Sequence, residues 1–167
     1  MPKVIVTDTK GLHQVTGTGV EGLEAIKFSS KIAVGVTQTN YDTAAISIPA
    51  NALITDLGYI CVDALDANTS TTLTFSFGTA AGGAQLVTAT QLNQTNTDIA
   101  AGVTQSIQLG NIPHASGAAI PYKAGAAYFS ATARDIFMRV TVGGANMSNA
   151  GSVIAFVKYC IVPSASL

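Results

Sequence analysis

An all-β fold is what this sequence predicts: a two-sheet antiparallel sandwich, jelly-roll-like, with an extended N-terminal arm. Three observations carry the prediction. Short runs rich in β-branched and aromatic residues recur along the chain, at intervals of about 8–12 residues. Gly, Asn, Asp, Ser and Pro punctuate them, and these are the residues that turns demand. Several runs alternate apolar with polar side chains, as a strand does when one of its faces lies in a core. About eight such strands in one domain close into a sandwich or barrel. A chain of 167 residues is long enough to bury roughly two-thirds of its unfolded surface without disulfides or metal.

Residues 1–27 read as the arm. Val4-Ile5-Val6 is a strand-like hook, followed by Lys10-Gly11 and the loose Gly17-Thr18-Gly19, a segment suited to adding to a neighbour's sheet edge. The sandwich domain is expected over 28–167. Its first strand is Lys31 to Gln38, with Ile32, Val34 and Val36 on one face, ending at Asn40-Tyr41-Asp42. Ala45 to Ile48 stops at Pro49, which cannot donate to a ladder. Ala52 to Val62 is the longest extended run and belongs in the middle of a sheet. After a turn over Asp63 to Asn68, Thr71 to Gly78 alternates most regularly, with Leu73, Phe75 and Phe77 toward the core and Thr72, Thr74 and Ser76 away. Ala84 to Leu92, between Gly82-Gly83 and a polar stretch reaching Asp98, is the one place where a helix of up to two turns is expected. Later strands are Val103 to Leu109, Ala126 to Ala131, Ile136 to Val142 and Gly151 to Val162. In the third of these, Ile136, Met138 and Val140 oppose Phe137, Arg139 and Thr141.

The composition is 48% hydrophobic but only 10% charged, against about 25% charged in ordinary soluble domains. Between Ala67 and Tyr122 the charged residue is Asp98, His114 aside. Eight Lys and Arg against nine Asp and Glu leave a formal net charge of -1, and near-neutral surfaces of this kind favour association. The scattered cations do not form the cluster that tracks phosphates, so nucleic acid is not an expected partner. Mean hydropathy is +0.40, yet the apolar runs, such as Val153 to Val157, are far below the roughly 18 residues of a membrane span. The N-terminus has no long apolar stretch of the kind a signal peptide carries, which points to synthesis in the cytosol. Cys61 and Cys160 both lie in apolar runs and read as small buried hydrophobes; whether they pair is open at this level.

Catalytic signatures fail on context. Gly17-Thr18-Gly19-Val20-Glu21-Gly22 matches a dinucleotide fingerprint, and Asp42 lies beyond it at the distance of a ribose-binding acid. That motif needs a helix opening on it, and only Leu23 to Phe28 intervene before Ser29-Ser30. His13, His114, Cys61 and Cys160 show no metal-ligand spacing, and neither histidine sits in a recognisable catalytic motif. Asp56, Asp63, Asp66 and Asp98 are the carboxylates that a glycosidase pair would have to come from; the first three mark strand ends and turns. The expectation is a chain that is not an enzyme, with no cofactor and no metal.

Three stretches carry a resemblance: Met1-Pro2-Lys3-Val4-Ile5-Val6-Thr7-Asp8-Thr9-Lys10-Gly11-Leu12, Ile48-Pro49-Ala50-Asn51-Ala52-Leu53-Ile54-Thr55-Asp56, and Leu73-Thr74-Phe75-Ser76-Phe77-Gly78-Thr79-Ala80. With them the sequence resembles the small β-rich structural proteins of tailed bacteriophages, particularly the head decoration (cement) proteins of marine phages. The resemblance implies a component of the virion, on the outer capsid surface. Its partners would be the major capsid protein and further copies of itself, as a trimer, with neither nucleic acid nor membrane bound. Lys3, Val4, Ile5, Val6 and Leu12 are the candidate capsid or inter-subunit contacts. Tail fibre or tail adaptor proteins share this composition, and a glycan-binding β-sandwich is a further alternative.

Overall fold

A computed structural model describes residues 4–7, 11–14, 24–68, 70–95, 98–108 and 128–162, with backbone alone for 4–7, 11–14, 89–95 and 107–108. Within these residues the β-branched and aromatic runs form strands and no helix. The strands are β1 (Val4–Thr7), β2 (Gly11–Gln14), β3 (Glu24–Phe28), β4 (Ile32–Val34), β5 (Asn40–Asp42), β6 (Ile46–Ile48) and β7 (Ala52–Asp63), then β8 (Thr72–Gly78), β9 (Val87–Thr95), β10 (Thr104–Gln108), β11 (Phe129–Ser130), β12 (Arg134–Gly143) and β13 (Gly151–Ile161). All pairings are antiparallel.

The topology becomes plain once interrupted strands are joined. β3 and β4 both pair with β13, β5 and β6 both with β12, and β10 and β11 both with β7. Each couple occupies one strand position, so the chain from Glu24 onward has eight positions. In that numbering the first pairs with the eighth (β3/β4 with β13), the second with the seventh (β5/β6 with β12), the third with the sixth (β7 with β10/β11) and the fourth with the fifth (β8 with β9). This is one long antiparallel ribbon. Two further pairings, β7 with β13 and β8 with β12, roll it into two sheets. One sheet runs β10-β7-β13-β3 and the other β5-β12-β8-β9, which is the arrangement of a jelly roll. The hairpin of β1 and β2 forms a separate two-stranded sheet.

Alternation fills the space between the sheets. Ile54, Leu57, Tyr59 and Cys61 from one sheet meet Leu73, Phe75, Phe77, Ile136, Met138 and Val140 from the other, each at most 1% exposed. The rings of Tyr59 and Phe75 stack across the gap with centroids 4.0 Å apart and an interplanar angle of 10°. The Tyr59 hydroxyl donates to Gln105 Oε1 at 2.8 Å, which satisfies the one polar atom this pair takes into the core.

Strict alternation would put Ile54 and Leu57 on opposite faces of β7. The register against β13 shifts between Lys158, opposite Asp56, and Tyr159, opposite Ile54, leaving Thr55 as an extra residue. A second shift leaves out Val62. These bulges restore the phase and let an almost continuous apolar strand present its large side chains inward.

Three expectations are corrected. Ala84 to Leu92 is not helical: the Leu86 N–H donates to Phe77 O at 3.0 Å and its carbonyl accepts from the Tyr128 hydroxyl at 2.7 Å. Leu86 and Val87 are buried, and the chain continues as β9 beside β8; an open sheet edge outweighs a weak local helix preference. The run from Lys31 ends as a strand at Val34, because the chain then crosses from one sheet to the other. A Cβ on Gly35 would lie 2.7 Å from the Tyr41 hydroxyl, and Val36 is 36% exposed rather than in line with Ile32 and Val34. The first sheet begins at Glu24, inside the stretch assigned to the arm, since Glu24 to Phe28 pair with β13.

Candidate interaction surface

The two outer faces of the sandwich differ in chemistry. On the β5-β12-β8-β9 sheet, the residues alternating with the core are Asn40, Asp42, Thr72, Thr74, Ser76, Phe137, Arg139 and Thr141, all polar but Phe137. Four of them bond in pairs. Arg139 donates from Nε to Asp42 Oδ1 at 2.8 Å and from Nη2 to Oδ2 at 2.7 Å, and Thr141 donates to Asn40 Oδ1 at 2.7 Å. The guanidinium hydrogen bonds hold the Asp42 carboxyl below the usual range. These pairs satisfy the charged and amide groups of the face from within the sheet, and Ser76 beside them is buried.

The β10-β7-β13-β3 sheet turns apolar residues outward instead. β3 inverts the usual pattern. Its register sets Lys27 opposite buried Val157 and Ala25 opposite Tyr159, on the core side, while Ile26 and Phe28 stand opposite Lys158 and Phe156 on the outside. Lys27 reaches across the sandwich margin, and its Nζ donates to Ser47 O at 2.6 Å. Ile26 is 47% exposed and Phe28 56%. Phe28 and Phe156 form a tilted ring pair with centroids 6.4 Å apart. Phe156 in turn lies over Gly58, where a Cβ would come within 2.6 Å of its Cζ. Leu53, 37% exposed, stands opposite Cys160 and extends the same face.

Polar groups interrupt this face near its centre. Asp56 is buried and accepts from the Leu57 N–H at 2.9 Å. Burial pushes its carboxyl up, against bonds from Leu57 and Ser106 and the attraction of Lys158. Glu24 accepts from the Thr55 hydroxyl at 2.6 Å. The carboxylates and cation are spoken for within the sheet, which leaves the aromatic and aliphatic groups as what the face offers a partner.

The residues singled out for chemistry are dispersed. Asp56 and Asp63 are seven positions apart on β7, on the order of 20 Å in a strand. Asp63 accepts from the Ser152 hydroxyl and pairs with Lys31 at 3.5 Å, and Asp66 accepts from Asn149 at 2.5 Å. Asp42 is committed to Arg139. The chain leaves the Gly17–Gly22 motif into strand β3, not into a helix; the motif itself and His114 lie outside the described residues. Among the described residues no three His, Cys, Asp or Glu cluster as metal ligands would. Cys61 and Cys160 are free thiols on opposite faces of one sheet. Cys61 is buried with its thiol directed at the carbonyls of Asp63 and Ile99, and burial raises its pKa, which makes it a poor nucleophile.

Of the contact residues expected in the arm, Val4, Ile5 and Val6 lie in β1 and Leu12 in β2, Val6 in register with Leu12; Lys3 lies outside the described residues. Sequence reading did not single out Ile26 and Phe28. The available signal was the odd placement of a lysine between them.

No family model matches the chain, and no curated protein matches it. Among solved structures it is similar to a chain of the cyanophage Pam1 capsid asymmetric unit, at 17% identity and a TM-score of 0.45, covering 94% of this chain and 98% of that one. It is also similar to a chain in the acidic stable capsid structure of Helicobacter pylori bacteriophage KHP30, at 11% identity and a TM-score of 0.38, covering 84% and 94%.

Proposed function

We propose that this chain is a non-catalytic structural protein of a bacteriophage head, which decorates the outside of the capsid by binding between capsid subunits. The observation that carries the reading is the asymmetry of the sandwich: one outer face is closed by its own hydrogen bonds, and the other exposes Ile26, Phe28 and Leu53. A chain with 10% charged residues and one apolar face is suited to life against neighbours. The resemblance of residues 1–12, 48–56 and 73–80 to cement proteins gives the neighbours their identity. A protein that binds only the assembled lattice stabilises it by mass action, and this needs no reactive group. Copies of the chain would associate around a rotation axis as a trimer, burying apolar surface, with Lys3, Val4, Ile5, Val6 and Leu12 in capsid or inter-subunit contact.

Immunogold labelling of intact particles with antibody to this chain tests the reading. Label distributed over the head surface is the expected result; label confined to the tail would overturn it in favour of a fibre or adaptor. In a binding assay with expanded heads, the full chain should bind saturably and a form lacking residues 1–12 should not.

A further inference from the structure

We infer that the apolar outer face of the β10-β7-β13-β3 sheet is a docking site for the N-terminal segment, residues 1–23, of a second copy of this chain. The inference rests on the reading of a self-associating protein and names the surfaces that meet. Three observations converge on it. Among the described residues the face is open, with Ile26 and Phe28 about half exposed although Phe28 pairs with Phe156. The N-terminal segment joins the sandwich at Glu24, the first residue of β3, which is the strand that carries Ile26 and Phe28. Its hairpin, β1 with β2, is a sheet of two strands, and an isolated two-stranded hairpin is at best marginally stable in water.

The chemistry of the segment suits an apolar contact. Residues 1–23 contain two ammonium side chains, Lys3 and Lys10, and two carboxylates, Asp8 and Glu21, so no net charge steers them. Val4, Ile5, Val6 and Leu12 fall in the two strands. Residues 15–23 between hairpin and sheet can extend by up to about 30 Å, enough to cross to an adjacent molecule. An arm passed from each copy to the next makes a head-to-tail contact that closes into a ring when the rotation allows it, which reconciles an exchanged arm with a trimer.

Directed crosslinking of the full-length chain tests this. In a Cys160→Ser background, one chain carries Val6→Cys and another Ile26→Cys; the two are mixed, oxidised and mapped by mass spectrometry. Cys61, buried, stays unreactive. The expected product is a disulfide joining residue 6 of one chain to residue 26 of another. Adding Phe28→Asp to the Ile26→Cys chain should lower its yield at least about tenfold, as loss of a central apolar anchor does. A chain carrying both substitutions that closes only within itself would overturn the exchange between copies. A dominant residue 26 to residue 26 product would mean that face packs on face. Free labelling of residue 26 by a water-soluble maleimide, with no crosslink, would mean the face is uncovered. The particle assay reads separately: heads that bind the protein without a 6–26 crosslink sink this inference alone, and a 6–26 crosslink without head binding sinks the decoration reading alone.

Discussion

Phe156 packs the end of its ring on Gly58, so that a β-carbon there would come within 2.6 Å of its Cζ and closer still to the Gln105 carbonyl. The ring can move, but the carbonyl belongs to β10, which is fixed to β7 by the ladder. Gly58→Ala should therefore destabilise the fold by about 2–3 kcal/mol, at the upper end of overpacking effects, measured by urea unfolding. Phe156→Leu in the same chain should recover only part of the loss, since the carbonyl clash persists. Full recovery would mean that the ring alone demands the glycine.

The Tyr59 and Phe75 pair makes a separate prediction, because it joins the two sheets. Phe75→Ala removes the stacked partner and opens a cavity between sheets, with an expected cost of about 3–5 kcal/mol. Tyr59→Phe keeps the ring and loses the bond to Gln105, for about 1 kcal/mol. Thermal unfolding of the two variants checks the order; equal losses would refute the claim that stacking outweighs the hydroxyl.

How far sequence carries the fold can be judged residue by residue. Leu73, Phe75 and Phe77, and likewise Ile136, Met138 and Val140, alternate cleanly, and each is buried as the pattern requires. That regularity, with turn residues at short intervals, made the sandwich legible. β7 was legible as a long central strand, but its two bulges were not, since an extra residue at Thr55 or Val62 leaves no trace in an apolar run. β9 was hidden because Ala84 to Leu92 has no strong local preference, and the edge of β8 decided it. The apolar face was hidden for a different reason. Period-2 alternation shows that Ile26 and Phe28 share a side of β3, but it does not say which side, and the rule of apolar residues inward gives the wrong answer there.

Asp42 and Arg139 predict an acid limit to stability. The carboxyl's pKa is lowered from 3.8 by the guanidinium hydrogen bonds, and the Gly82 N–H adds to the effect. A group with a depressed folded pKa contributes stability that is present above the unfolded value and lost as pH falls through the folded one. Below about pH 4 the folded protein should thus lose this contribution progressively. Arg139→Met should cost about 1 kcal/mol near pH 7, as a partly exposed paired bidentate contact does, and should flatten that segment of the pH profile. An unchanged acid slope in the variant would show that other carboxylates set it.

Asp56 has the opposite sign. Burial raises its pKa above 3.8, and this outweighs its bonds from Leu57 and Ser106 and the charge of Lys158. An acid whose folded pKa is raised binds its proton more readily in the folded state, so between the unfolded and folded values stability declines as pH rises. Asp56→Asn keeps the acceptor that holds the Leu57 N–H and removes the charge. The D56N variant should then be at least as stable as the parent at pH 7, and the difference should shrink as pH falls and the parent's carboxyl becomes neutral. Denaturant midpoints across that range are the measurement. A variant weaker than the parent by a gap that widens as pH rises from acid would mean that Lys158 rather than desolvation governs this carboxylate, and that the polar island in the apolar face is held by charge.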